Sequence, residues 1–438
     1  MRKISPASSL SGSLTLGGDK SISHRAIILS SISASHVRIK NFYPSQDCLY
    51  TLRAMRSLGV EIRQLKKGLL DISGVGLGGL SASGSIFLGD SGTTYRLLAG
   101  LLSGLRCSIS LKAGKSLSKR PMRRIIVPLT KMGAVIKGRQ GKKFESYPPL
   151  NIKGGNLKGI IYKLPVASAQ VKSAILLAGL NAKGKTCINE KVSSRDHTER
   201  MLKTFGVSVS VKAGNIRLQP PKKELKGPPQ ITIPGDFSSA AFFIVAALLL
   251  NGSRLTIKGV GVNPTRTGLL KVLRRMKANI KVIPLAKNRP DLEPIAEVII
   301  RSSALKATKV SPKEIPSLID EIPILMVAAS FANGTTRIPA VDELRVKETD
   351  RIFSMLYNLK RMGVNIRIKK ESGKETIYIK GLKRLKAVRL RSFSDHRSAM
   401  ALVVAACCAE GVSFLDDTSC IRKSFPDFFK ALESVKVT

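Results

Sequence analysis

The sequence predicts an α/β protein assembled from six copies of one unit, and three patterns carry that reading. First, residues 25–29, 96–100, 172–177, 240–244, 322–326 and 397–401 each follow a polar, turn-prone stretch and run on through small and apolar side chains. Second, all but the first of these then reach a glycine (Gly104, Gly184, Gly252, Gly334, Gly411) four or five residues before an Ile or Leu. The first copy has Ala34-Ser35 at that point. Third, segments ending in Leu58-Gly59, Met132-Gly133, Phe205-Gly206, Ala278-Asn279 and Met362-Gly363 read as amphipathic helices that each feed a strand. Gly or Asn just past a helix is the usual left-handed stop. A sixth such helix, within 425–435, lacks that cap. The unit is then strand, helix, strand, helix, strand, about 73 residues if 438 residues hold six copies. Self-similarity on this scale decides architecture before any single motif does. A unit this small needs its neighbours for a full core.

Taken in order, the copies place cations where local stability does not explain them. Gly17-Gly18-Asp19-Lys20-Ser21-Ile22-Ser23-His24-Arg25 opens the first. The glycine pair allows a tight turn and Ser or Asp can cap the helix that follows. Lys20 and Arg25 then crowd a helix start, where the macrodipole opposes positive charge. They make sense if an anion sits there, held by backbone N–H groups and by the cations. The second copy repeats the arrangement as Gly89-Asp90-Ser91-Gly92-Thr93-Thr94-Tyr95-Arg96. Small residues at Ser91 and Gly92 let a ligand approach the backbone. Further on, Pro121 suits the first turn of a helix, with Arg120 just ahead of it. The third copy offers Ser168 and Gln170, which can bond a hydroxyl or a phosphate oxygen without adding charge. The fifth has Asp320-Glu321-Ile322-Pro323 at one helix start. A second helix there begins at Leu344, so that Lys347 and Arg351 share a face with Glu348 one residue round. The sixth gives Ser394-Asp395-His396-Arg397, and Arg422-Lys423 before the last helix. Equivalent positions of a repeat tend to lie on one side. One cleft is therefore expected to gather these cations for a multiply charged substrate pair, with Asp320 and Glu348 left as acid/base groups.

Composition bounds the rest. At 438 residues, two domains are expected. Apolar residues make up 43% of the chain but aromatics only 5%, with no Trp, so the cores must come from Ile, Leu, Val, Ala and Met. Against 29 Asp and Glu stand 74 Lys and Arg, a net charge of +45. That balance suits nucleic acid, an anionic surface or anionic small molecules. The basic residues are spread along the whole chain with no basic tail and no aromatic-rich strand for base stacking, which argues against a dedicated nucleic-acid protein. Six cysteines form no C-x-x-C pair and, with four histidines, offer no zinc spacing. They fit a reducing cytosol. No apolar signal run is present at the N-terminus, and the longest apolar run, 240–250, is too short to span a bilayer.

With these residues in place, the chain resembles the 3-phosphoshikimate 1-carboxyvinyltransferase (5-enolpyruvylshikimate-3-phosphate synthase) family. The resemblance runs over essentially the whole chain. It is carried by Lys20-Ser21-x-Ser23-x-Arg25, Leu88-Gly89-x-x-Gly92-Thr93-x-x-Arg96, Arg120-Pro121, Ser168-x-Gln170, Arg345-Val346-Lys347-Glu348-Thr349-Asp350-Arg351 and Asp395-His396-Arg397. It implies a two-domain inside-out α/β barrel of six βαβαββ units, three per domain. One lobe would comprise 19–234, the other 1–18 with 235–438, and the active site would lie in the cleft between them. The implied reaction moves the enolpyruvyl group of phosphoenolpyruvate to the 5-hydroxyl of 3-phosphoshikimate. By motif match, Lys20, Asp320 and Glu348 would be catalytic. Lys20, Ser21, Arg25, Ser168, Gln170, Arg195, Asp320 and Lys347 would bind 3-phosphoshikimate. Lys20, Gly92, Arg120, Gln170, Arg351, Arg397 and Lys423 would bind phosphoenolpyruvate. No metal or organic cofactor, no membrane and no specific nucleic acid is implied, and a cytoplasmic monomer is expected.

Three positions depart from the family pattern. Asp90 stands where Asn is usual and is expected to turn outward or lie against Arg96. Ala169 replaces a frequent Ser, and Glu343 an Asn. Two competing readings remain at this stage. A sister enolpyruvyl transferase acts on UDP-N-acetylglucosamine and generally carries a reactive loop cysteine; residues 112–119 have none, and Cys107 falls in an expected strand. An RNA-binding or RNA-end-processing protein would suit the charge, but not the pair Asp320 and Glu348.

Overall fold

The computed structural model describes residues 1–285 and 292–437. The chain divides into two compact units. The inserted unit holds Gly18–Ile233 with residues 292–293, and the flanking unit holds Met1–Gly17, 234–285 and 294–437.

Among the described residues the inserted unit carries six α-helices in consecutive pairs. They are α1 (Lys20–Ser31) and α2 (Gln46–Ser57), α3 (Gly92–Ser103) and α4 (Arg123–Met132), and α5 (Ala169–Gly179) and α6 (His197–Thr204). The first of each pair is buried along almost its whole length. A helix of that kind belongs inside a core, whereas α2, α4 and α6 bury only one face. Where α3 crosses α5, Gly100 leaves no room for a side chain. A Cβ there would stand 2.2 Å from the Ala174 carbonyl oxygen, so the two backbones touch directly.

Three four-stranded sheets cover these helices, and all three share one order: a parallel pair, then two antiparallel neighbours. One runs Gln230–Thr232, His36–Lys40, Leu69–Ser73, Glu61–Lys66. The next runs Ser83–Phe87, Ser108–Lys112, Ser146–Lys153, Val135–Gln140. The last runs Ile161–Lys163, Thr186–Asn189, Asn215–Leu218, Val209–Lys212. Alternate side chains of His36–Lys40 and Ser146–Lys153 turn inward, the period of a half-buried strand.

The flanking unit continues with α7 (Phe237–Leu249), α8 (Gly268–Arg275), α9 (Ile315–Leu318), α10 (Ile322–Ser330), α11 (Arg351–Arg361), α12 (His396–Cys407) and α13 (Phe428–Glu433). Here α7, α10 and α12 are the buried helices and pack on one another. Its largest sheet orders Asn279–Pro284, Ile295–Arg301, Arg254–Gly261, Ser9–Thr15 and Lys436–Val437. Phe242, Phe243, Phe425 and Phe428 stack edge to face between α7 and the end of the chain.

Several sequence expectations need correction. Gly59, Gly133, Gly206 and Gly363 take the left-handed conformation expected of helix stops, but after α8 the left-handed residue is Lys277 (φ 67°), not Asn279. Asn279 pairs with Arg301 and starts a strand, so the sheet claims the residue that read as a cap. Residues Asp342–Val346 form a 3-10 turn and Lys347 is extended. The helix begins only at Arg351, where the Asp350 side chain accepts the Phe353 N–H at 2.9 Å. The shared helix face expected for Lys347 and Arg351 therefore does not exist. Pro121 lies ahead of α4 rather than in its first turn, because Arg120 is extended, as a residue before proline prefers. Cys107 precedes the strand Ser108–Lys112. All six cysteines are free thiols. Among the described residues no cluster of metal-ligating side chains occurs, and no helix is long and apolar enough to cross a membrane.

Candidate active site

In the inserted unit the three buried helices start on polar caps. Asp19 Oδ1 accepts the Ile22 N–H at 2.9 Å, Ser91 Oγ the Thr94 N–H at 3.3 Å, and Ser168 Oγ the Val171 N–H at 3.5 Å. Each cap fixes a first turn, and the first turns carry the cations. Lys20 Nζ lies 2.8 Å from Asp47 Oδ2. Arg25 is buried, yet its side chain donates to neutral oxygens. It donates from Nε to Thr198 Oγ1 (2.6 Å), from Nη1 to the Ser21 carbonyl (2.7 Å) and from Nη2 to Ser173 Oγ (2.7 Å). Burial pulls its pKa down to about 10, opposed by Glu199 and Asp19 nearby and reinforced by the like charge of Arg195. Two arginines that repel each other in a built setting favour an anion beside them.

A second group forms around α3. Arg96 donates to Gln170 Oε1 at 2.9 Å and to the Gly92 carbonyl at 3.2 Å, and Gln170 Nε2 donates to Thr93 Oγ1 at 3.0 Å. The guanidinium groups of Arg96 and Arg120 both flank Gly92. A Cβ on that glycine would lie 2.8 Å from Arg96 Nη1 and 3.0 Å from Arg120 Nη1. Asp90, expected to turn outward or lie against Arg96, has its hydrogen-bond partner elsewhere. Its Oδ1 accepts the Leu117 N–H at 2.8 Å and so holds the turn Leu117–Lys119 that delivers Arg120. Behind the group, His24 Nδ1 lies 2.6 Å from Thr51 Oγ1, which lies 2.7 Å from Thr94 Oγ1. Burial first, then Lys20 and Arg25, push the His24 pKa well below the ordinary value, so the ring stays neutral and ties α1, α2 and α3 together.

The flanking unit builds differently. Arg351, almost fully enclosed at the start of α11, meets three carboxylates. Nε donates to Asp395 Oδ2 at 3.0 Å, Nη1 to Asp320 Oδ1 at 3.3 Å and Nη2 to Glu348 Oε2 at 2.6 Å. Burial opposes both ends of the Arg351–Asp395 contact. Even so, the carboxylates raise the arginine's pKa above its ordinary value, and Arg351 with His396 draws Asp395 below the carboxylate range. Arg397 donates to Ser238 Oγ (2.7 Å) and the Asp320 carbonyl (3.3 Å), and its Nη2 lies 3.6 Å from Asp320 Oδ2. Glu321, buried at the cap of α10, joins Arg397 at 3.4 Å and Arg266 at 2.7 Å. Lys347 lies 3.9 Å from Glu343. Burial lowers its pKa to about 8, with Asp320, Glu343 and Glu348 resisting and Arg351 assisting. Lys423 ends the turn Ser419–Lys423, which packs on α12, the helix of Arg397.

The expected residues thus fall into two sets, one per unit. Ser21, Arg25 and Arg195 gather near α1, while Gly92, Arg120 and Gln170 gather near α3. Asp320, Lys347, Glu348, Arg351 and Arg397 form the other set. Sequence reasoning missed the residues behind them: Asp47, Ser173 and Thr198 in the inserted unit, and Ser238, Arg266 and Glu321 in the flanking unit. The available signal was a polar side chain inside an otherwise apolar helix, as at Ser173 and Ser238.

Comparison with known proteins now bears on this arrangement. Residues 4–432 match the family model described as EPSP synthase (3-phosphoshikimate 1-carboxyvinyltransferase). The chain belongs to the EPSP synthase family. It is 46% identical over 435 residues to a 3-phosphoshikimate 1-carboxyvinyltransferase of Geotalea uraniireducens, covering 99% of both chains. A protein of the same name from Thermodesulfovibrio yellowstonii is 46% identical over 437 residues, again with 99% of each covered. Among solved structures, EPSP synthase from Acinetobacter baumannii superposes with a TM-score of 0.86 at 39% identity, over 100% of this chain and 99% of that one. The enolpyruvyl transferase NikO from Streptomyces tendae reaches 0.75 at 16% identity, which speaks for the mixed α/β fold alone.

Proposed function

We propose that this EPSP synthase family member transfers the enolpyruvyl group of phosphoenolpyruvate to the 5-hydroxyl of 3-phosphoshikimate and releases phosphate. The observation that carries the chemistry is the position of Arg351, one buried guanidinium that holds Asp320 and Glu348 together beside Arg397. The reaction needs a base for the hydroxyl proton and a group that gives and retrieves a proton at the methylene carbon. Asp320 takes the first role and Glu348 the second, with Lys20 sharing in proton transfer and stabilising the tetrahedral adduct. Addition joins the 5-oxygen to the central carbon of phosphoenolpyruvate as the methylene gains a proton. Elimination removes a methyl proton and expels phosphate.

Both substrates are anions, so dense fixed charge must offset their repulsion. Arg25, Arg195, Ser21, Ser168, Gln170 and Lys347 would hold 3-phosphoshikimate. Gly92, Arg120, Gln170, Arg351, Arg397 and Lys423 would hold phosphoenolpyruvate. The reaction requires both sets to act on one substrate pair. The three sheets of common order in the inserted unit support an architecture of six βαβαββ units, three per domain, in an inside-out barrel. A cytoplasmic monomer without metal or organic cofactor completes the proposal. A reactive-cysteine mechanism is disfavoured, since burial raises the thiol pKa of Cys48, Cys107, Cys407, Cys408 and Cys420.

The test is phosphate release by purified protein given both substrates and each alone. Release that requires both supports the reaction. No release from folded protein, or release with UDP-N-acetylglucosamine as acceptor, refutes it.

A further inference from the structure

One buried ionic cluster has no part in the chemistry above. Near the start of α5, within its enclosed stretch, Lys172 has only 1% of its side chain exposed. Its Nζ lies 3.0 Å from Glu190 Oε2 and 2.6 Å from Glu199 Oε1, and both carboxylates are as deeply buried. One cation faces two carboxylates, and Glu199 Oε2 finds no hydrogen-bond donor among the described residues. Burying such a group costs several kcal/mol per ion by order of magnitude, and hydrophobic residues of the same volume would do as well for stability alone. The cluster's arrangement shows a more specific use.

Ser194 is held by all three of its polar groups. Its N–H donates to Glu190 Oε2 at 3.2 Å, its hydroxyl donates to Glu190 Oε1, and its carbonyl accepts from Lys172 Nζ at 3.2 Å. The next residue is Arg195. Glu190 is itself pinned at the end of the strand Thr186–Asn189, where its N–H donates to the Gly214 carbonyl at 2.8 Å. The neighbours of the cluster on the same two helices, Ser173 beside Lys172 and Thr198 beside Glu199, are the side chains that hold Arg25. The two hydroxyls lie 2.6 Å apart. The carboxylate of Glu199 also supports the positive charge of Arg25 from behind, without bonding it.

We propose that Lys172, Glu190 and Glu199 are positioning residues that fix the backbone of Arg195 and the guanidinium of Arg25 as a two-arginine clamp for the phosphate of 3-phosphoshikimate. This rests on the activity proposed above and adds to it the device that sets affinity for one substrate's phosphate. Removing a cluster charge loosens the loop 190–196 while leaving Gly92, Arg120 and Gln170 in place.

The test compares wild type, Lys172→Met and Glu190→Gln by initial rates with each substrate varied in turn, and by calorimetry with 3-phosphoshikimate and with shikimate, which lacks the phosphate. The expected result is a KM for 3-phosphoshikimate raised about tenfold or more, a KM for phosphoenolpyruvate within about twofold, and kcat nearly unchanged at saturation. Calorimetry should show weaker 3-phosphoshikimate binding and unchanged shikimate binding, so preference for the phosphorylated ligand shrinks. Folded variants in which both KM values rise together, or in which binding of 3-phosphoshikimate is unchanged, would overturn the proposal. If Lys172→Met does not fold, Glu190→Gln decides, because it keeps the shape of Glu190 but removes its charge and one of the two oxygens that accept from Ser194. Wild type that binds 3-phosphoshikimate but does not turn over would fault the activity and leave the positioning role to be judged by calorimetry alone.

Discussion

Both units cap buried helices with polar side chains, Asp19, Ser91 and Ser168 in one and Asp236 and Asp395 in the other, yet their arginines keep different company. In the inserted unit Arg25 bonds two hydroxyls and a carbonyl, which fix its direction and leave its charge largely uncompensated by direct contact. In the flanking unit Arg351 bonds three carboxylates, and it draws the pKa of the buried one, Asp395, down. Neutral partners preserve a field that an anionic substrate can use. Carboxylate partners trade that field for a fixed set of proton acceptors. On the proposed function, the first arrangement would serve binding of 3-phosphoshikimate and the second the acid/base chemistry.

The contrast should appear first in stability. Arg351→Ala leaves Asp395 buried without its main cation, which should cost about 3–5 kcal/mol. Arg25→Ala strands only hydroxyls and a carbonyl, a loss of about 1–3 kcal/mol. Urea unfolding of both variants measures the gap, and equal losses would break the comparison.

A second effect is in pH. The pKa of Lys347 is lowered to about 8, so the side chain is cationic below that pH and neutral above it. If it binds 3-phosphoshikimate as a cation, KM for that substrate should rise as pH climbs from 7 to 9. KM for phosphoenolpyruvate should change less, and Lys347→Met should flatten the 3-phosphoshikimate profile at a raised KM. The sign for stability is the reverse. Below pH 8 the buried charge is a burden on the fold, and the burden lifts between pH 8 and the unfolded value near 10.5. Steady-state profiles for the two substrates read the first effect.

The smallest effect concerns Gly92. An Ala there presses on Arg96 and Arg120, whose guanidinium tips must give by a few tenths of an ångström. Gly92→Ala should raise KM for phosphoenolpyruvate several-fold and leave KM for 3-phosphoshikimate nearly unchanged. The parent protein should be inhibited by glyphosate, and the variant less so. Strong parent activity at millimolar glyphosate, or a variant no more resistant than the parent, would contradict this account of the subsite.

Much of this was legible in the chain because local chemistry and tertiary role agree at the helix starts. Asp19 reads as a cap from the sequence and serves as one, while Ser91 and Ser168, read there as ligand-facing residues, cap their helices as well. Where a distant partner decides, the reading failed. Asn279 looked like a helix stop until the strand Ile295–Arg301 claimed it. The helix expected from Leu344 starts at Arg351, because Asp350 supplies the cap and a 3-10 turn takes up what precedes it. Asp90 reads as turned outward or set against Arg96 six residues on, while its partner Leu117 lies 27 residues away. Lys172 gave a signal that went unused, a lone charge in an enclosed apolar helix that needs a buried counter-charge. The glutamates that supply it, at 190 and 199, lie beyond helical reach in sequence.

The division of labour is tested most directly by turnover at saturating substrate. Asp320→Asn and Arg25→Ala would be assayed side by side as 3-phosphoshikimate is raised until the rate no longer increases. The account predicts that Arg25→Ala recovers most of the wild-type kcat, whereas Asp320→Asn stays slower by roughly 10²–10⁴-fold at any concentration. An Asp320→Asn enzyme that approaches the wild-type rate, or an Arg25→Ala enzyme that stays slow at saturation, would contradict it.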